Sequence, residues 1–150
     1  MFTEVLPARF RFRVYLAKGI TVTDQALITT TILLLVSDPL VRCVLEETLE
    51  QEGYMVHATG DLGQAVDRLK ESTPDLLITR TYVQNMPGHE AALYLLTKCP
   101  TMRVLMLGGL LDDDRLRNRE ALQGFEVFPK PYTTAEMLQE VKRVLNKPGR

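Results

Sequence analysis

Charged residues that close apolar runs are where this 150-residue sequence can place chemistry. Arg80 directly follows Leu76–Thr79, Lys130 stands two residues past Phe125–Phe128, and Asp38 two residues past Ile32–Val36. A guanidinium is charged at every physiological pH, and burying it unpaired is strongly unfavourable. Arg80 must therefore reach solvent or meet a carboxylate, with Asp38 and the run Asp112–Asp114 as the candidates. Arg80 and Lys130 together would form a cationic pocket able to attract a small anion or a partner's carboxylate. Asp38 stands immediately before Pro39, the arrangement of a helix N-cap followed by proline at the first helical position. The run DDDRLRNRE (Asp112–Glu120) opens a helix with acids at its positive dipole end, and Arg115 and Arg119 share one face a turn apart. Cys43 and Cys99 are too few for a disulfide framework or a zinc site and read as semi-buried free thiols in a reducing compartment.

Elements that alternate in period must hold these groups. Short apolar runs bounded by turn residues predict strands at Thr31–Val36, Tyr54–His57, Leu76–Thr79, Val104–Leu107 and Phe125–Phe128. Between them, helical spacing predicts Pro39–Gln51, Leu62–Glu71, Gly88–Lys98, Asp112–Leu122 and Thr134–Asn146. The first carries Leu40, Val41, Val44, Leu45 and Leu49 as its apolar side, and the last carries Met137, Leu138, Val141 and Leu145. Thr133 with Glu136 forms a capping box. Strands that are apolar throughout need cover on both faces. Five successive βα units therefore imply an α/β fold with a doubly wound five-stranded parallel sheet over residues 31–147. Right-handed crossovers then bring the strand carboxyl ends, and with them the candidate residues, to one edge. Residues 1–30 form an N-terminal extension, with four basic residues (Arg9, Arg11, Arg13, Lys18) against two acidic ones (Glu4, Asp24). Alternation over Arg9–Leu16 gives it strand character in an otherwise flexible stretch.

Composition excludes several classes. With 18 Lys+Arg against 19 Asp+Glu, the net charge of -1 lacks the basic footprint of a nucleic-acid-coating protein. Ile32–Val36, the longest apolar run, falls far short of the roughly 20 residues that span a bilayer. Arg9, Arg11, Arg13 and Lys18 break up any signal-peptide core, so the cytoplasm is expected.

Several stretches, in order and at nearly ungapped spacing, resemble the receiver domain of two-component response regulators, the CheY-like, flavodoxin-like (βα)5 fold. They are ILLLVSDPLVR (Ile32–Arg42), Glu52-Gly53-Tyr54, Pro74-Asp75-Leu76-Leu77-Ile78, Gly88 and Glu90 counted from Arg80, and Gly124 with Lys130-Pro131. The resemblance implies a strand-borne Asp that attacks phosphorus, an acid pair holding Mg²⁺, a hydroxyl ending the fourth sheet strand and a Lys ending the fifth. It places the nucleophile at Arg80, the acid pair at Val36 and Ser37, the hydroxyl at Gly108 and the Lys at Lys130, with a cis Lys130–Pro131 peptide. Only the Lys is retained. Arg80 cannot form an acyl phosphate, and two cations at the pocket should repel Mg²⁺. Asp38 is a metal ligand only if the loop shifts by one residue. The aromatic of the family's switch falls on Val127, beside Phe128. Receivers commonly dock partners through the fourth helix, fifth strand and fifth helix, which makes Arg115, Arg119, Val127 and Phe128 the expected interaction face.

These residues lead us to expect a stand-alone pseudo-receiver. It would be non-enzymatic and cofactor-free, with Mg²⁺ binding lost, and would act in phosphorelay-type signalling through phosphorylation-independent contact with a signalling protein, with homodimerisation open. No nucleic-acid or membrane partner is expected. Two alternatives belong to other classes: a receiver phosphorylated at an unorthodox acceptor such as Asp38, and a small-anion sensor using Arg80 and Lys130.

Overall fold

An unbroken apolar strand cannot leave one face in water, and Thr31–Leu35 shows the consequence: all five residues are fully buried. The computed structural model describes residues 10–11, 15–17, 20–22, 27–108, 125–129 and 132–147, with side chains for 29–108, 125–128 and 132–147. Strands are numbered along the chain: β1 (Phe10–Arg11), β2 (Tyr15–Ala17), β3 (Ile20–Val22), β4 (Leu27–Ile28), β5 (Thr31–Leu35), β6 (Met55–Thr59), β7 (Leu76–Arg80), β8 (Tyr82–Val83), β9 (Met86–Pro87), β10 (Arg103–Gly108) and β11 (Glu126–Pro129). The described helices are α1 (Pro39–Gln51), α2 (Leu62–Glu71), α3 (Gly88–Lys98) and α4 (Thr134–Leu145). A five-stranded parallel sheet runs in the order β11-β10-β7-β5-β6.

Strand alternation sorts the core into two layers. Ile32, Leu34 and Val36 pack with Leu45 and Leu49 of α1 and Met137, Val141 and Val144 of α4. Leu33 and Leu35 face the other way, against Ala65 of α2 and Ala91, Ala92 and Leu95 of α3. The sheet is thus doubly wound, as the sequence pattern implied.

The starts of α1, α2 and α4 are fixed by side chains. Asp38 Oδ1 accepts from the Leu40 and Val41 amides at 2.9 and 3.3 Å, Asp61 Oδ1 accepts from Gln64 at 3.1 Å, and Thr133 with Glu136 closes the capping box. Gly53, at φ 98, ends α1 in the left-handed conformation that glycine adopts without strain. At the far end, Arg103 Nη1 donates to Leu145 O at 2.9 Å and Nη2 donates to Lys147 O, so one guanidinium satisfies carbonyls at the end of α4.

Several expectations need correction. Leu40 and Val44 do not join the core; they are 76% and 56% exposed, lying about a third of a turn or more from the buried Leu45–Leu49 side. The cysteines are not alike, since Cys43 is exposed and Cys99 buried. β6 starts one residue late, because the Tyr54 amide donates to Leu49 O, and it runs on to Thr59. Of the strand expected over Arg9–Leu16, the described residues are Phe10–Arg11, paired antiparallel with β4, and Tyr15 and Leu16 in β2, paired antiparallel with β3, both outside the five-stranded sheet. The helix expected at Asp112–Leu122 lies outside the described residues.

Glu126 anchors a charge network between β11 and α4. It accepts from Arg143 Nη2 at 2.8 Å and from Lys147 Nζ, while Arg143 also binds Glu140. The Lys147 hydrogen bond, joined by that of Arg143, holds the Glu126 carboxyl below the usual carboxylate range against the opposing effect of burial. A depressed acid stabilises the fold above its unfolded pKa, and the contribution disappears as pH falls through the lower folded value. Glu126→Gln is accordingly expected to flatten the acid limb of the stability curve below about pH 4, by less than about 1 kcal/mol because its basic partners Arg143 and Lys147 stand exposed to solvent. Urea unfolding from pH 3 to 7 measures it.

Candidate functional site

The carboxyl ends of the sheet strands meet at one edge. Register sets Leu35 opposite both Thr59 and Thr79, Leu107 opposite Arg80, and Gly108 opposite Pro129. Val36, Ser37, Arg80 and Gly108 therefore lie at or next to this edge; Lys130 and the Lys130–Pro131 peptide lie outside the described residues.

The loop between β5 and α1 is densely tied. The Val36 amide donates to Thr59 O at 3.0 Å, and buried Thr79 donates its hydroxyl to Leu35 O at 2.9 Å. Arg42 Nη1 donates back to Val36 O at 2.8 Å and to Ser37 O at 3.3 Å. Ser37 Oγ accepts from the Gln84 amide at 2.7 Å. Asp38 is exposed, and its Oδ1 caps α1.

Arg80 ends β7 half-buried, and no described carboxylate pairs with it. Its charge is felt at Tyr132, where burial raises the phenol's pKa and the positive charge of Arg80 opposes that rise. Tyr132 also stacks against Phe128, ring centroids 5.2 Å apart. Behind Arg80, α3 starts hard against the strand end. A Cβ on Gly88 would stand 1.8 Å from Arg80 O, whereas a Cβ on Gly108 would meet Thr81 Cγ2 at 3.6 Å and Val127 Cγ1 at 3.8 Å, both ordinary contacts.

Val127 and Phe128, both expected on an interaction face, point to opposite layers of the sheet. Val127 packs with the α2–α3 layer and Phe128 with the α1–α4 layer, because successive strand residues point to opposite sides. Arg115, Arg119 and the Asp112–Asp114 run lie outside the described residues. Three site residues escaped the sequence reading: Arg42, Gln84 and Tyr132. Gln84, at φ 54, occupies the two-residue loop of the β8–β9 hairpin, an element with no periodic signal. For Arg42 a signal existed: it stands one helical turn past the N-cap, close enough to fold back over the loop.

This fold with its strand-end site defines the chain's class. Residues 32–142 match the model of the response regulator receiver domain, and the chain belongs to that family, the receiver domains of two-component signalling. It is 25% identical over 108 residues to the DNA-binding transcriptional regulator NtrC of Proteus hauseri, covering 72% of this chain and 23% of that regulator's length. Similarity to sporulation initiation phosphotransferase F of Bacillus subtilis is 25% identity over 105 residues, covering 70% of this chain and 85% of the relative. A response regulator receiver protein from Sinorhizobium medicae superposes with a TM-score of 0.67 at 24% identity, over 79% of this chain and 95% of that one, a likeness of fold. No described helix is long and apolar enough to cross a membrane.

The two strand-end glycines should respond oppositely to alanine. Gly88→Ala is expected to cost about 1–3 kcal/mol by forcing backbone apart, and Gly108→Ala to be neutral or to stabilise by up to about 1 kcal/mol. Denaturant midpoints of the two variants test this. Asp38→Ala should cost about 1 kcal/mol and Asp38→Asn less than half of that, because an amide oxygen still caps the helix.

Proposed function

We propose that this receiver domain is a pseudo-receiver, which signals through protein–protein contact without phosphorylation at its β7 position. The observation that carries the reading is Arg80, at the strand end where the family's phosphoacceptor Asp stands, since a guanidinium cannot become an acyl phosphate. The donor set does not suit Mg²⁺, a hard cation that wants several oxygens in octahedral array. Val36 offers no side-chain oxygen, the Ser37 hydroxyl already accepts from Gln84, the Asp38 carboxylate caps α1, and Arg80 adds positive charge. On this reading the domain is neither an enzyme nor cofactor-dependent. Its partner is a signalling protein of the cytoplasm, and the chain's relation to longer relatives such as the NtrC regulator leaves that partner's domain context open.

Arg80 also favours a second reading, a small-anion sensor. It is a half-buried cation that no described carboxylate pairs with, and its charge lowers the pKa of Tyr132 against the effect of burial. A thermal-shift screen of phosphorylated metabolites separates the two, because a ligand of the native state raises Tm.

Acetyl phosphate, or beryllofluoride with Mg²⁺, should leave the mass and the amide spectrum unchanged; a covalent increment mapping to Asp38 would refute the proposal in favour of an unorthodox acceptor. Arg80→Asp should not restore phosphorylation by itself, because the acid pair and the fourth-strand hydroxyl remain missing, and its stability should stay within about 2 kcal/mol of the native chain. Phosphorylation of that single variant would show that the rest of the pocket is competent.

A further inference from the structure

We infer that Arg42 is the built-in cation of the β5–α1 loop, fixing with a charge from the chain itself the loop whose acids in working receivers depend on a bound metal. The inference rests on the reading that this loop takes no Mg²⁺ and goes beyond it by naming what holds the loop instead. One nitrogen, Nη1, serves both Val36 O and Ser37 O, the carbonyls of the two residues standing at the acid-pair positions. Its place is reserved: a Cβ on Gly60 would fall 2.4 Å from Nη1 and 3.2 Å from Val36 O, so any larger residue there displaces the guanidinium.

The loop is clamped from its other side by Gln84. Its amide donates to Ser37 Oγ, and its Oε1 accepts from the Leu62 amide at 3.5 Å, so one residue of the β8–β9 hairpin touches both the β5–α1 and the β6–α2 loops. Gln84 holds φ 54, a backbone state that a non-glycine residue keeps only when its surroundings enforce it. Arg42 orients the Ser37 backbone, and Ser37 in turn holds the Gln84 amide. The charge on Arg42 should thus be felt across the edge at a residue it does not touch.

Amide hydrogen exchange of Gln84 reads this coupling, with Leu33 and Ile78 as core references. Arg42→Met should lower Gln84 protection about tenfold or more while the core amides hold, and Gly60→Ala should do the same with Arg42 retained. Arg42→Lys should keep protection within about threefold of native, because one nitrogen can serve both carbonyls. Unchanged Gln84 exchange in Arg42→Met, or equal loss in Arg42→Lys, overturns the inference. A Mg²⁺ titration of the native chain is read separately: saturable amide shifts at Ser37 would sink the metal-free reading, whatever the exchange data of the variants show.

Discussion

Everything at the carboxyl edge depends on β5 and β7 being sealed between two helical layers. Leu33, Leu34, Leu77 and Ile78 are fully buried, so neither strand can slip by one residue without turning a buried set into the wrong layer. That register, and not the chemistry of the end residues, decides that Val36, Ser37, Arg80 and Gly108 lie together. In a fold whose site lies at strand ends, register sets where the end residues stand whatever their side chains are.

The packing of α3 makes the same point at atomic scale. Gly88 is required by the carbonyl of Arg80, not by its side chain, and the Gly88 amide donates to Thr81 O at 2.7 Å. The Arg80 guanidinium takes no part in those backbone contacts. The side chain needs only an exit, which its half-buried position provides.

What could be read in the sequence follows from which forces act locally. The bounds expected for α1, α2 and α3 match the structure because helical apolar spacing runs their full length, and Asp38 before Pro39 marks the start of α1. The inner strands were legible because burial on both faces leaves an apolar run with no polar interruption. β6, at the sheet's edge and only partly covered, was misplaced at both ends. The candidate site was legible as a set of positions through register, whereas its contacts were not. The exception is the Asp38 cap, marked by the Pro39 that follows it, while whether Arg42 folded back over a loop depended on three-dimensional neighbours such as Gly60. The outward turn of Leu40 and Val44 was missed because apolar residues cover more of the α1 circumference than the core accepts.

The clamp of Arg103 has a consequence for how the fold comes apart. β11 is an edge strand, hydrogen-bonded only to β10 among the described strands, and α4 lies beside it on the outer layer. Such a terminal strand–helix pair is the natural unit to peel away first in a sub-global opening. Arg103 belongs to β10, yet its guanidinium grips the last carbonyls of α4, and its amide binds Asp75 O at the start of β7. One side chain thus rivets the most detachable segment to the sheet interior, so that the edge pair opens together with its neighbours.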